Sequence, residues 1–255
     1  MPLLDHLVEL RRRLLYSVIA FLIAFLICFY FANPLFNFLV EPLREIFKGE
    51  EGRRLIFTAL HEKFFTNIKV AFFTAGMLAF PVIASQLYMF VAPGLYRKEK
   101  RVFMPYLIVT PILFLMGSSM VYYIVMPIAW QFFASFQTLG DADLANELPV
   151  ELLPRVSEYL SLSMRLIFAF GIAFQLPVVI TLLARAGLTT SEGLKKKRKY
   201  SIVLAFIAAA VLTPPDPLSQ IGLAIPIVIL YEISIWSARL VERSKEKETE
   251  GATAA

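Results

Sequence analysis

The run Leu14-Leu15-Tyr16-Ser17-Val18-Ile19-Ala20-Phe21-Leu22-Ile23-Ala24-Phe25-Leu26-Ile27-Cys28-Phe29-Tyr30-Phe31-Ala32 is fenced by Arg11-Arg12-Arg13 on one side and Asn33-Pro34 on the other. A helix of about 20 apolar residues is what roughly 30 Å of hydrocarbon requires. A cleaved secretory leader also opens on positive charge, but its apolar core is about 7 to 15 residues and stops at small residues. This run is longer and ends in aromatics, so it reads as an uncleaved membrane-spanning helix.

Working outward, the pattern recurs. Apolar runs occupy Val70 to Phe90, Phe103 to about Met126, Leu166 to Leu183, Ser201 to Leu212 and Leu218 to Trp236. The last two are separated by Thr213-Pro214-Pro215-Asp216-Pro217, too rich in proline to continue a helix, so they form a helical hairpin. The first of the pair is only about 12 strongly apolar residues long, which suits a locally thinned bilayer. Short fifth and sixth helices are therefore expected. Across its 255 residues the chain is 58% hydrophobic and 18% charged, with a mean hydropathy of +0.67, where soluble domains carry about a quarter charged residues. The expected fold is an all-α polytopic membrane protein with six transmembrane helices. Residues 1–240 form that domain, and 241–255, charged and then small, read as a disordered cytoplasmic tail.

Orientation follows from the basic residues of the connections. Alternate assignment puts seventeen Lys and Arg on one side and seven on the other, with Arg165 left at the start of the fourth span. Both termini are therefore expected in the cytoplasm. The two long outer connections, Asn33 to Lys69 and Pro127 to Arg165, carry amphipathic stretches and should form ordered periplasmic caps. Leu35, Phe36, Leu39, Leu43 and Phe47 recur at helical spacing, as in a helix lying along an interface. Pro81, Pro111, Pro177 and Pro226 fall inside spans and should bend them.

Several classes of chemistry find no residues here. The single cysteine, Cys28, lies inside an apolar run and permits no intrachain disulfide. His6 and His61 lack partners at metal-ligand spacing, so no metal site or cofactor is expected. Ser157, Ser161 and Ser163 have no histidine or lysine base in the neighbouring spans and read as cap or packing hydroxyls. An integral membrane enzyme is disfavoured on that ground. A secondary transporter using Gln175, Asp216 and Glu232 as a solute or proton path is disfavoured by the missing internal repeat.

Two carboxylates stand out. Glu9 precedes the arginine cluster in His6-Leu7-Val8-Glu9-Leu10-Arg11-Arg12-Arg13, and Leu7, Leu10 and Leu14 share one helical face. Glu99 is the one acid in Leu95-Tyr96-Arg97-Lys98-Glu99-Lys100-Arg101. Taken alone, Glu9 fits an acid in a helix first turn and Glu99 an exposed local ion pair. A second group of polar positions, Gln175, Thr213, Asp216, Gln220 and Glu232, lies within or at the ends of spans, where ionisable groups face a protein interior or a wet cavity. Arg165 could pair with Glu158 on one face or extend its head to the interface.

Four motifs carry a resemblance. His6-Leu7-x-Glu9-Leu10-Arg11-x-Arg13-Leu14, Phe90-Val91-Ala92-Pro93-Gly94-Leu95-Tyr96-x-x-Glu99-x-Arg101, Lys196-Lys197-Arg198-x-Tyr200 and Leu212-Thr213-Pro214-Pro215-Asp216-x-x-Ser219-Gln220 resemble the signatures of the TatC family, in the same order relative to the spans. The resemblance covers Leu4 to about Arg239. It implies an inner-membrane subunit that receives signal peptides with consecutive arginines. Such a subunit works with TatA and TatB type single-span partners, self-associates, and exports folded proteins on the protonmotive force. It also implies that Glu9 and Glu99 are the receptor carboxylates, with Phe90, Arg11 and Pro93 shaping the same site, and that the subunit is not an enzyme. Two adjacent guanidinium forks need two acceptors from different directions, which two such acids can supply. In the family the position of Gln175 is commonly a glutamate, so this chain departs from the pattern there. A neutral amide can still bridge helices, for example toward a docked partner helix.

Overall fold

The computed structural model describes residues 3–47, 55–91, 100–137, 153–213 and 217–253. The described residues are helical almost throughout: α1 is Leu3–Tyr30, α2 Ala32–Ile46, α3 Glu62–Val91 and α4 Lys100–Met120. A π-helical turn, Val121–Val125, joins α4 to α5 (Met126–Ala134). Then follow α6 (Val156–Ala173), α7 (Leu176–Arg185), α8 (Ser191–Lys196), α9 (Arg198–Leu212) and α10 (Pro217–Thr253). Among the described residues the only bridge between extended segments is a parallel one joining Ile56 to Arg155.

Among the described residues five stretches are long and apolar enough to cross a membrane: His6–Tyr30, Glu62–Phe90, Met104–Ala134, Val156–Arg185 and Ser219–Lys245. They coincide with the first four expected spans and the sixth. The run before Thr213 is α9, only fifteen residues long, so the expected shortness is real there. It does not extend to the helix that follows. α10 runs for 37 residues, because beyond Trp236 the sequence turns to charged residues of high helix propensity instead of breaking. The stretch from residue 241, expected to lack order, is thereby continued as helix to Thr253.

The residues fall into two compact units. One comprises Phe21–Leu78 and Ser119–Phe168. Here α2 buries Ala32, Leu39, Val40, Pro42 and Leu43, the amphipathic face expected around Leu39 and Leu43. Two tyrosines tie its backbone down: Tyr122 donates to the Phe38 carbonyl at 2.6 Å and Tyr159 to that of Leu39 at 2.9 Å. The Phe38 and Tyr122 rings stack at 4.6 Å, and Trp130 of α5 packs on Tyr159 at 5.1 Å. These contacts satisfy backbone carbonyls in the described part of α2. Glu158 pairs with Arg155 at 2.8 Å, and Arg165 is exposed, so the pairing considered between Glu158 and Arg165 gives way to the shorter local one.

The other unit comprises Met1–Ala20, Ala79–Ser118 and Ala169–Ala255. Its core holds Ala84, Tyr88, Val178 and Leu182, with Phe80 and Tyr106 packed on them. Phe80 stacks on the fully buried Phe114 at 3.9 Å. Phe114 in turn lies over Gly171, where an added Cβ would come within 2.5 Å of the ring. α7 ends in a Schellman motif: Gly187 takes φ of 76°, and the Leu188 amide reaches the Leu183 carbonyl at 2.9 Å. Thr190 then caps α8, its hydroxyl accepting from the Gly193 amide at 3.1 Å.

Candidate functional site

The first turns of α1 hold the described part of the candidate receptor site. Glu9 is half-buried and carries an ion pair with Arg13 one turn later. Both Nε and Nη2 of Arg13 reach its Oε1, the Nε contact at 3.1 Å. Arg11 is exposed, and Arg12 donates to Tyr16 at 3.3 Å. On the next turn back His6 stacks flat against Phe90, ring centroids 4.3 Å apart and planes 18° from parallel. The contact joins the N-terminal turn of α1 to the C-terminal turn of α3. Phe90 is thus brought to the turn of α1 that precedes Glu9, Arg11 is exposed on the same helix, and Glu99 and Pro93 lie outside the described residues. Sequence reasoning passed over His6 as a site residue. The available signal was its spacing: it stands three residues before Glu9, on the same helical face.

The second group of polar residues divides rather than converging. Gln175 sits at the break between α6 and α7, two residues ahead of Pro177, with its amide N–H bonded to the Ile172 carbonyl at 2.9 Å. That leaves the Gly171 carbonyl without its usual i+4 donor. The Gln175 side chain supplies one, its Nε2 lying 3.5 Å from the Gly171 oxygen and 3.0 Å from the Thr110 carbonyl of α4. The side chain is buried, and its Oε1 has no partner among the described residues. Thr213 closes α9 by donating through its hydroxyl and its amide to the Ala209 carbonyl, both at 2.9 Å. Gln220 reaches across the hairpin to the Phe206 carbonyl at 3.4 Å. Glu232 belongs to neither place: it pairs with Arg198, at the start of α9, at 2.5 Å. Among the described residues Glu232 is therefore engaged by Arg198 and makes no contact with Gln175. Asp216 lies outside the described residues.

A third polar site was not anticipated. Glu62, at the head of α3, is almost wholly buried. Its Oε2 accepts from the Thr58 amide at 2.7 Å and the Ala59 amide at 3.3 Å, and its Oε1 from the Ser157 amide at 3.3 Å. With the backbone pairing of Ile56 to Pro154 and Val156 at 3.3 and 3.2 Å, it fastens the segment before α3 to the start of α6.

Comparison with known proteins gives one consistent answer. The family model described as Sec-independent protein translocase protein (TatC) matches residues 5–226. A protein of that name from Magnetococcus marinus is 50% identical over 247 residues, covering 97% of this chain and 87% of the relative. One from Escherichia coli (strain K12) is 39% identical over 248 residues, covering 97% and 92%. The crystal structure of a twin arginine translocase receptor, TatC, superposes with a TM-score of 0.77 at 40% identity, over 93% of this chain and 99% of that one.

Proposed function

The chain belongs to the TatC family of Sec-independent protein translocase proteins, and from that premise we propose that it is the twin-arginine signal-peptide receptor of a folded-protein export machine. It sits in the bacterial inner membrane with six crossings, α9 being the short fifth, both termini in the cytoplasm and α2 and α5 among the periplasmic caps. Energy comes from the protonmotive force. TatA and TatB type single-span proteins are its partners, docking near Gln175, Thr213, Asp216 and Gln220, and copies of the chain self-associate. Polar Gln175 and Thr213 stand in otherwise apolar surroundings, which supports docking of a partner helix along this part of the chain.

The observation that carries the receptor reading is the half-buried Glu9 carboxylate beside the His6 and Phe90 stack. A buried or half-buried acid in a basic segment needs a cation. Arg13 supplies one in the resting chain, and an incoming guanidinium must share or replace it. Glu99 is the second acceptor, with Phe90, Arg11 and Pro93 shaping the surroundings.

The test is binding of a twin-arginine peptide to the purified protein at matched salt. Glu9→Gln and Glu99→Gln each keep shape but remove charge, and charge-assisted hydrogen bonds contribute about 1.5 to 3 kcal/mol. Affinity should fall roughly tenfold to a hundredfold in each, with non-additive losses if one arginine pair bridges both acids. A peptide with lysines for arginines should bind the parent more weakly, lacking the planar fork. Unchanged affinity in both Gln variants would sink the assignment.

A further inference from the structure

The run Lys195-Lys196-Lys197-Arg198-Lys199 straddles the junction of α8 and α9, and all five side chains are exposed. Arg198 is neutralised by Glu232 at 2.5 Å, and Lys199 lies 5.1 Å from the centre of the Tyr200 ring. Lys195, Lys196 and Lys197 meet no carboxylate among the described residues.

This charge is held at a fixed place. Leu194, one residue before the run, is buried among Ile180, Ala184, Ile235 and Ala238, and its carbonyl accepts from the Tyr231 hydroxyl at 2.9 Å. Ser191 is bound through its amide to Glu242 at 2.7 Å. Immediately beyond the run, α9 exposes Ile202, Val203, Leu204, Ile207 and Val211. Loop charge that serves only to orient a chain needs neither a rigid mount nor adjacency to an unpartnered apolar face. An amphiphile of negative head and apolar tail needs both.

We propose that Lys195, Lys196, Lys197 and Lys199 form a binding site for the phosphate head of an anionic phospholipid, whose acyl chains lie along the exposed face of α9. Basic clusters directly beyond a span attract anionic headgroups. α9 strengthens the effect: its fifteen residues reach only about 22 Å at 1.5 Å per residue, against roughly 30 Å of hydrocarbon. Headgroups must come inward to meet its end, and the lysines hold them there. The inference rests on α9 lying in the bilayer and does not depend on which face is cytoplasmic.

Trp236 is the reporter. It is exposed on α10 one turn beyond Glu232, the partner of Arg198, and the chain has one other tryptophan, Trp130. The protein is reconstituted into phosphatidylcholine vesicles containing a small fraction of either brominated phosphatidylglycerol or brominated phosphatidylcholine, and the Trp236 signal is taken as the difference from a Trp236→Phe variant. Both leaflets have one composition, so orientation does not enter. Brominated phosphatidylglycerol should reach half-maximal quenching at about a tenfold lower mole fraction than brominated phosphatidylcholine. The combined Lys195→Gln, Lys196→Gln and Lys197→Gln variant, with helix content checked by circular dichroism, should lose most of that preference. Equal quenching by the two lipids in the parent, or a preference undiminished in the variant, overturns the proposal. A preference abolished by inorganic phosphate but not by chloride at equal ionic strength makes the ligand free phosphate and overturns the lipid assignment. Quenching by neither lipid removes the hairpin from the bilayer and the proposal with it, a failure that leaves peptide binding at Glu9 and Glu99 untouched.

Discussion

Two interruptions of regular backbone in this molecule are repaired by opposite kinds of side chain. Ahead of α3, in residues outside the apolar runs, a carboxylate does the work: Glu62 gathers the amides of Thr58, Ala59 and Ser157. Between α6 and α7, inside an apolar run, a neutral amide does it: Gln175 donates to the carbonyls of Gly171 and Thr110. The difference follows from which backbone groups are orphaned. A helix start leaves N–H groups, for which an anion is the strongest acceptor and one that the helix dipole favours. A break ahead of proline leaves carbonyls, which need a donor, and in hydrocarbon an uncharged donor avoids the cost of burying charge. Glutamate and glutamine differ by one atom type, and each is fitted to its own deficit.

The comparison can be broken or sharpened by substitution. The largest effect is expected at Glu62. Changing it to Ala leaves three amides without their acceptor, and the midpoint of thermal unfolding in detergent should fall further than for any other change here. Gln at the same position retains one acceptor oxygen and should recover part of the loss. If the Ala variant melts with the parent, the carboxylate is not what fastens the segment before α3 to α6.

Next in size is Gly171→Ala. The new methyl group would meet the ring of the fully buried Phe114 at 2.5 to 2.9 Å, too close for van der Waals contact. Overpacking of this kind costs about 1 to 3 kcal/mol. Gly222→Ala is the internal control, since nothing lies within 4 Å of its added Cβ, and it should melt at or slightly above the parent. Equal behaviour of the two variants would mean that α4 does not pack closely against the Gln175 break.

The smallest effect belongs to Gln175→Leu. It fills the same space but removes the donor to Thr110 and Gly171, and buried interhelical hydrogen bonds in membranes are worth only about 1 kcal/mol. A loss several times larger would show that the amide anchors more than these two carbonyls.

How much of this was legible follows from the kind of signal each feature leaves. Apolar runs and the Pro214-Pro215-Asp216-Pro217 punctuation announce helices and a hairpin because both are local in sequence. The amphipathic face of α2 was readable at Leu39 and Leu43 for the same reason. The Glu62 cluster left no trace, since its partners are backbone amides, which every residue has, and one of them lies 95 positions away. The pairing of Glu232 with Arg198 was open to prediction only as some local partner: sequence supplies the charges but not the register of the two hairpin arms. The length of α10 was not legible because the charged stretch from Val241 carries no apolar periodicity, whereas its Glu, Lys and Arg are good helix formers and Glu242 finds a partner in Ser191. At the candidate site the sequence offered Glu9 and Glu99 as acids, of which Glu9 lies among the described residues, but it gave no sign of the His6 and Phe90 stack, since aromatic contacts between distant helices have no periodicity of their own.

The π-helical turn at Val121–Val125 has a consequence for angular phase. In a regular α-helix each residue advances about 100°, so positions eight apart, such as Tyr122 and Trp130, would end about 80° out of line. A π turn absorbs one extra residue into a single turn, and the Met126 amide accordingly bonds to the Val121 carbonyl five positions back. Counting one residue fewer, the two side chains come within about 20° of each other. Tyr122 can then meet Phe38 of α2 while Trp130 meets Tyr159, both from nearly one side of a continuous rod. The widened turn acts as a phase corrector, setting the azimuth of α5.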